Sequence, residues 1–230
     1  MAGTESGRDE QTADSQGRPD DAVADLLAEN LARRGGPLRQ RAAEILHQLG
    51  AIDRAVYAAV ASVPAPALDQ AMRRLSRSAD RSRLWFGIAG VLALTGPGGR
   101  RAAGRGILAI AATSAVVNLG IKTLSRRRRP DRSVAGVPDT RQVRMPSSTS
   151  FPSGHSAAAF AFATAISRDN PWLAIAIQFL AGGVAYSRVH TGVHYPGDTV
   201  AGALIGAGAG QAVSSVFDRA TARRSPSGKP

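Results

Sequence analysis

Three short polar clusters contain side chains that could together break a phosphate ester. They are K-T-L-S-R-R-R-R-P at 122–130, F-P-S-G-H-S at 151–156 and S-R-V-H-T-G-V-H-Y-P-G-D at 187–198. Histidines, a carboxylate and several cations are a set suited to nucleophilic attack on phosphorus with electrostatic stabilisation of the charge that develops. Each cluster borders an apolar stretch, which favours a substrate carried by a lipid.

The first cluster offers two cations at a helix end. Lys122 and Arg129 are seven positions apart, so their side chains leave the same helical face if the helix continues between them. Pro130 disfavours further helix. A lysine point charge beside an arginine fork can hold a phosphate. The alternative is a basic anchor for acidic lipid headgroups, made by the arginines at 126–129.

The second cluster predicts the start of a helix. Ser153 is a good N-cap, and Gly154 allows a close backbone approach, so the first free N–H groups can point at an anion. His155 in the first turn can donate a proton to a leaving group. The alternative is that His155 is only a polar residue at the membrane interface.

The third cluster contains the candidate nucleophile. Asp198 follows His194 by four positions in a turn that Pro196 is suited to start, so its carboxylate can hold the imidazole and fix the tautomer. Arg188 adds a cation. His190 has no carboxylate four positions further along the chain, so we expect it to lie next to the reacting groups without contacting the phosphate. The alternative is a cap-and-turn role for Y-P-G-D with the histidine merely nearby.

Other chemistries find no support in the sequence. The absence of cysteine excludes disulfides, thiolate zinc sites and cysteine nucleophiles. The histidines lack a second ligand pair at helical spacing, and the glycine-rich segments lack the strand that a nucleotide loop follows. We therefore expect no metal site and no cofactor.

The elements that must position these clusters are apolar helices. Five apolar segments, with few or no charges, cover 84–95, 106–121, 156–166, 171–186 and 199–217. Such segments predict an all-α, multi-pass transmembrane bundle of about five or six spans, and a buried soluble helix bundle is the alternative. Gly202, Gly206 and Gly210 share one helical face, which favours close packing within the chain over an oligomer contact.

Counting crossings gives the topology. If each segment spans once, all three clusters emerge on the same side of the membrane. The other side receives a loop with Arg100, Arg101 and Arg105, together with a basic C-terminal tail. The positive-inside rule makes that side cytoplasmic, so we expect the site on the extracytoplasmic face of the cell membrane.

Charge separates the N-terminal region from the rest. The chain has a net charge of +12, yet residues 1–30 hold eight acidic and two basic residues. A basic body suits anionic partners such as phosphate groups, nucleic acid or acidic lipid. We expect a polar, acidic tail at 1–37, disordered at 1–21 and partly helical beyond, amphipathic interfacial helices at 38–83, a membrane domain at 84–217 and a basic tail at 218–230.

In order and spacing, the clusters resemble the three-part signature of the type 2 phosphatidic acid phosphatase (PAP2) superfamily, which also includes vanadium haloperoxidases. The matching positions are Lys122, Arg129 and Pro130; Pro152, Ser153, Gly154 and His155; and Ser187, Arg188, His194 and Asp198. The resemblance covers about 84–217 and leaves the first 80 residues outside it.

The resemblance implies a metal-independent lipid phosphatase. His194 would form a phosphohistidine with Asp198 orienting it, and His155 would protonate the departing alcohol. Lys122, Arg129 and Arg188, with the backbone at Ser153 and Gly154, would hold the phosphoryl oxygens. The expected partners are a membrane and a lipid phosphate, with no nucleic acid. A haloperoxidase-like enzyme and a non-catalytic basic membrane-surface protein are the alternatives, and the sequence leaves the oligomeric state and the lipid open.

Overall fold

The computed structural model describes residues 23–33, 35–167 and 171–224. In these ranges the regular structure is helical, and the chain forms eight helices. They are α1 (Val23–Arg33), α2 (Pro37–Ser62), α3 (Pro66–Ser78), α4 (Arg83–Leu94), α5 (Pro97–Leu124), α6 (Gly154–Ile166), α7 (Pro171–His190) and α8 (Pro196–Arg224). The disordered tail expected at 1–21 and the last six residues of the basic tail lie outside the described residues.

The all-α membrane bundle expected from the apolar segments is confirmed, and each of the five segments is a helix. Among the residues that the structure describes, three helices are long and apolar enough to cross a membrane: Pro97–Leu124, Trp172–His190 and Pro196–Thr221. Helix α6 is apolar but has only 13 residues, and α4 has 12. These two are shorter than the 20 or so residues that a span needs.

Helix α5 corrects one detail of the expected topology. Gly96 and Pro97 begin this helix, since Pro97 stands in its first turn, where a missing N–H costs nothing. Arg100, Arg101 and Arg105 therefore lie in the first turns of a helix and not in a loop. Arg105 is buried and pairs with Asp218 of α8 at 3.4 Å, so this arginine joins two helices and is a poor topology signal.

Helix α6 lies at the centre of the bundle and packs against α4, α5, α7 and α8. The Trp85 and Phe162 rings are 5.6 Å apart in the largest apolar cluster. Along α8, a methyl group added to Gly206 would strike the Ala157 carbonyl of α6, whereas one added to Gly208 would meet nothing within 4 Å. The predicted glycine face is therefore confirmed as a close helix contact within the chain.

The helix directions bring the polar clusters to one end of the bundle. Helices α5 and α7 end there, whereas α6 and α8 begin there. Before α5 ends, its backbone widens to a π-helical turn at Val116–Ile121, a feature frequent at functional sites. The long connection from 125 to 153 runs across this end. Helix α3 packs on α7 at the same end, which brings the N-terminal segment to the site.

Candidate active site

His194 lies in a buried turn between α7 and α8, and its two ring nitrogens have different partners. Nδ1 lies 3.4 Å from Asp198 Oδ2 and 3.5 Å from Ser150 Oγ. Nε2 lies 3.2 Å from a guanidinium nitrogen of Arg129. The carboxylate therefore favours the tautomer with the proton on Nδ1, and the Nε2 lone pair faces a cation. The expected pairing of His194 with Asp198 is present.

The burial of His194 keeps the imidazole neutral. The side chain is 2% exposed. Burial lowers its pKa to about 4, against the opposing hydrogen bond and charge of Asp198, while Arg129 and Arg188 lower it further. A neutral imidazole at pH 7 has a free lone pair, as a nucleophile requires.

Asp198 is the most heavily coordinated carboxylate of the site. Its Oδ2 accepts hydrogen bonds from Ser150 Oγ at 2.5 Å and from the Tyr195 backbone N–H at 3.0 Å. Its Oδ1 accepts from Arg127 at 2.7 Å. The carboxylate is fully buried, so these donors fix its orientation toward the imidazole.

Arg127 is a site residue that the sequence did not predict, because the arginines at 126–129 were interpreted as a possible anchor for acidic lipid headgroups. Its guanidinium bridges Asp198 and Asp53, both carboxylates being within hydrogen-bond distance, and it stacks 4.4 Å from the Tyr195 ring centre. Burial alone would lower the pKa of Arg127, but the charges and hydrogen bonds of Asp198 and Asp53 raise it. Its neighbours Arg126 and Arg128 are exposed, so the run does not act as one unit.

Lys122 and Arg129 converge by a different route from the one expected. The helix ends at Leu124 and Ser125 is extended, so the two cations do not share a helical face. Both instead reach Ser148: Lys122 Nζ donates to its Oγ at 3.4 Å and Arg129 donates to the same oxygen at 3.3 Å. Burial lowers the pKa of Arg129 to about 10, which still leaves it charged at pH 7.

The second cluster forms the helix start that the sequence predicts. Ser153 is the N-cap of α6, and its Oγ accepts from the Ser156 backbone N–H at 3.4 Å. A methyl group added to Gly154 would lie 3.7 Å from Lys122 Nζ, so this helix start faces the lysine. The Ser153 N–H donates to the Asp198 carbonyl at 2.9 Å, which links the second and third clusters.

Arg188 and His155 meet at a second carboxylate, that of Asp80. The buried Arg188 donates to Ser76 Oγ at 2.5 Å, and its guanidinium lies 3.8 Å from Asp80. His155 Nε2 lies 3.0 Å from the same carboxylate. His190 lies apart from the reacting groups, as expected, with its Nε2 2.7 Å from Asp69.

The structure thus brings all eight predicted site residues to one end of the bundle and adds groups that the motifs do not include. These are Asp53, Asp69, Ser76 and Asp80 from the N-terminal segment, together with Arg127, Ser148 and Ser150. The scarcity of acidic residues was a signal that could have pointed to some of these groups. Residues 38–83 hold only four acidic residues, and three of them are in this set. Among the described residues, no group of three or more histidine and acidic side chains has metal-binding geometry.

The sequence matches a known superfamily of proteins over the part of the chain that contains the predicted site residues. Residues 103–222 match the PAP2 superfamily, and the chain belongs to that superfamily.

Two curated relatives carry the same name. The chain is 36% identical over 151 residues, 64% of its own length and 77% of the other's, to the decaprenylphosphoryl-5-phosphoribose phosphatase of Mycolicibacterium smegmatis. It is 40% identical over 96 residues to the protein of that name from Mycobacterium tuberculosis, a match covering 42% of this chain and about half, 51%, of the relative.

Two solved structures share the fold. Aquifex aeolicus LpxE superposes with a TM-score of 0.60 at 24% identity, covering 71% of this chain and 95% of that one. A transmembrane PAP2-type phosphatidylglycerolphosphate phosphatase from Bacillus subtilis gives 0.56 at 19% identity, with coverage of 90% and 97%. These likenesses, with the three apolar helices, establish a membrane-protein fold.

Proposed function

We propose that this protein is a membrane phosphatase that hydrolyses a lipid-borne phosphate through a phosphohistidine on His194. One observation carries the proposal. The imidazole has a carboxylate on Nδ1 and an arginine at 3.2 Å from Nε2, so a phosphoryl group attacked by Nε2 would lie against a fixed cation. Family membership supports the same reaction class.

In the first step the Nε2 lone pair of His194 attacks phosphorus. The bond from phosphorus to the leaving oxygen breaks, and its electron pair goes to that oxygen. The imidazole becomes cationic as its new bond to phosphorus forms, and the buried Asp198 carboxylate stabilises that charge. In the second step water attacks phosphorus and passes a proton to the now neutral imidazole of His155, which restores its cationic form. The bond from phosphorus to Nε2 breaks, its electron pair returns to Nε2, and phosphate leaves neutral His194 behind.

Lys122, Arg129 and Arg188 are the cations proposed to hold the phosphoryl oxygens. Arg188 and Lys122 both act electrostatically on His155, and Arg129 and Arg188 both act on His194, so each of the three cations lies near at least one of the two histidines. The N–H groups that start α6 at Ser153 and Gly154 add the positive end of a helix dipole. His155 is the proposed general acid.

The position of the site supports a substrate embedded in a bilayer. The polar residues cluster where three apolar helices begin or end, so a phosphate at the membrane surface can reach them. We propose that this surface is the extracytoplasmic one, by the positive-inside argument from the basic C-terminal end, and that residues 84–217 form the membrane domain.

A cavity beside Arg129 supports a substrate with a polar group next to its phosphate. It measures about 940 Å³ and lies within the connection between α5 and α6. Besides Arg129, its polar lining includes Arg128, Asp131, Arg132, Ser133, Asp139 and Gln142. Because the relatives are named for a phosphoribose on a decaprenylphosphoryl carrier, we propose a polyprenyl-linked sugar phosphate monoester as the first substrate to test.

The test is phosphate release from purified protein in detergent, with EDTA present throughout. The panel holds a polyprenyl-linked phosphoribose, phosphatidic acid, phosphatidylglycerophosphate and a polyprenyl diphosphate. We expect turnover of at least one lipid phosphate, the highest kcat/KM on the phosphoribose lipid, and loss of turnover in His194→Gln. Absence of release from every lipid would contradict the proposal and would favour a non-catalytic membrane-surface protein.

A further inference from the structure

Asp80 lies outside the matched family segment yet contacts two groups of the site. It stands in a short turn, Asp80–Ser82, between α3 and α4. Its Oδ1 lies 3.0 Å from His155 Nε2 and 3.8 Å from the Arg188 guanidinium. The contact with His155 joins residues 75 positions apart, so it depends on how the N-terminal segment packs on the bundle.

The turn that carries Asp80 has an unusual backbone and firm anchors. Arg81 and Ser82 have φ values of 53° and 59°, in the left-handed region that residues other than glycine rarely adopt. Such conformations persist where surrounding contacts hold them, and they are enriched at functional sites. Ala79 and Trp85 on either side are 3% and 1% exposed. The buried neighbours therefore anchor the backbone of the turn from which the Asp80 side chain extends to His155.

The charges around His155 make Asp80 important to its protonation. Burial is the strongest influence and disfavours the cationic form of the imidazole, as do the charges of Arg188 and Lys122, whereas the hydrogen bond and charge of Asp80 favour that form. A hydrogen bond from His155, with the charges of His155, Arg188 and Arg83, holds the pKa of Asp80 below its usual range. Asp80 is thus ionised at neutral pH, although its side chain is about half exposed.

We propose that Asp80 is the positioning partner of the general acid, holding the His155 imidazole through Nε2 so that the opposite nitrogen delivers the proton. This inference rests on the proposed phosphatase function. When the P–O bond breaks, its electron pair goes to the leaving oxygen, which takes the proton from Nδ1 of the His155 imidazolium. The imidazole that remains is neutral and still donates its Nε2 proton to Asp80.

The site then contains two histidine–aspartate pairs with opposite tasks. Asp198 holds a deeply buried, neutral His194 that attacks through Nε2. Asp80, partly open to solvent, holds an imidazole that must be protonated before the reaction begins. The two carboxylates differ in exposure, since that of Asp198 is fully buried and that of Asp80 is about half exposed. Enzymes assign acid and base tasks to similar groups by placing them in different environments.

The test compares two leaving groups. A nitrophenolate leaves without a proton, whereas the alkoxide of a short-chain phosphatidic acid needs one. We expect Asp80→Asn to lower kcat on the phosphatidic acid about 10–100-fold and kcat on p-nitrophenyl phosphate less than about threefold, since general acid catalysis contributes roughly 10²–10⁴-fold. His155→Asn should show the same selectivity with a larger loss. Adding Asp80→Asn to His155→Asn should change nothing further.

The pH dependence of kcat is a second measurement, and it would not change if Asp80 had only a structural role. Because Asp80 favours the imidazolium, its loss should shift the alkaline limb of kcat on phosphatidic acid to lower pH. Asp80→Glu, which keeps a carboxylate, should restore the ratio of the two kcat values to within about threefold of the unmodified protein's. Glu44→Gln, an exposed acid on α2, is the matched control and should leave both activities unchanged.

Each other outcome has a definite meaning. Equal losses on both substrates, or no loss on either, would overturn the role of Asp80 while the unmodified protein remains a phosphatase. No hydrolysis of either substrate or of any lipid phosphate in the panel by the unmodified protein would overturn the proposed function itself. If Asp80→Asn does not fold, as judged by gel filtration and thermal melting, Asp80→Ser replaces it with the same expected selectivity.

Discussion

Two regions of the molecule contribute to the site in different ways. The membrane bundle, with the connection at 125–153, supplies the groups that we propose touch the phosphate: the two histidines, Lys122, Arg129 and Arg188. The N-terminal segment from α2 to the Asp80 turn supplies groups that contact those groups or their partners: Asp53 on Arg127, Ser76 on Arg188 and Asp80 on His155. The reactive set is thus local to the family segment, whereas its orientation depends on a region outside it.

This difference predicts unequal results for substitutions in the two regions. Removing a bundle group should abolish the chemistry with the fold intact. Removing an N-terminal partner should change stability, the pH profile or leaving-group dependence and leave measurable turnover.

The largest expected effect separates two histidines four positions apart. His194→Gln should lower kcat by about 10⁴-fold or more, because loss of a nucleophile removes the covalent route. His190→Gln should keep kcat within about tenfold, since His190 binds Asp69 and lies apart from the phosphate site, but it should lower the melting temperature. Phosphate release and thermal melting in detergent measure both. More than about 1% residual activity in His194→Gln would contradict the nucleophile assignment.

The second prediction concerns the bridge between the two regions. Arg127→Gln leaves Asp53 and Asp198 buried without their cation, so we expect a loss of roughly 3 kcal/mol in stability, as for other broken buried ion pairs. We also expect kcat to fall about 10–100-fold because Asp198 loses a donor that orients it. Arg126→Gln, an exposed neighbour in the same run, is the control. Equal effects of the two changes would show that the run acts only as a charged patch.

The third prediction tests the close contact between α6 and α8 inside the membrane bundle. Gly206→Ala should cost about 1–3 kcal/mol, because its methyl group would press on the Ala157 backbone and separate α6 from α8. Gly208→Ala on the same helix meets open space and should be neutral or stabilising by up to about 1 kcal/mol. Thermal melting compares them, and similar melting temperatures would contradict the close contact.

The smallest expected effect is the titration of His194. Its imidazole should titrate near pH 4, far below the usual 6.5, because burial disfavours its charge. NMR of ¹⁵N-histidine-labelled protein, with the signal assigned by its loss in His194→Gln, measures the midpoint. Since the folded pKa lies below the unfolded value, this group leaves stability unaffected above about pH 6.5 and removes stability as pH falls from 6.5 toward 4. A midpoint near 6.5 would contradict the buried, neutral nucleophile.

The sequence predicted which polar groups meet at one end of the bundle because these groups lie beside helix ends. Ser153 caps α6, and Asp198 follows His194 within one turn, so local spacing predicts the contacts inside the second and third clusters. Local spacing predicted the wrong route for Lys122 and Arg129, since an extended residue at Ser125 ends their shared helix. The convergence of both cations depends on Ser148, a contact across 26 and 19 positions.

The contribution of the N-terminal segment was not predictable from spacing. Its amphipathic pattern correctly indicated helices at 38–62 and around Leu68 to Leu75, but it indicated nothing about their partners. Asp53, Asp69 and Asp80 reach their partners across at least 70 positions, through the packing of α3 on α7 and of α2 on the turn before α8. The boundary expected at 83/84 stays a prediction, and contacts of the site cross it.

The most direct test of the central claim is capture of the phosphorylated intermediate. Purified protein is mixed with a ³²P-labelled lipid phosphate and quenched in alkali within the first turnover, and the labelled peptide is mapped. We predict an acid-labile, alkali-stable phosphoryl group on His194, absent from His194→Gln and present in Glu44→Gln. A label on any other residue, or label retained in His194→Gln, would contradict the account.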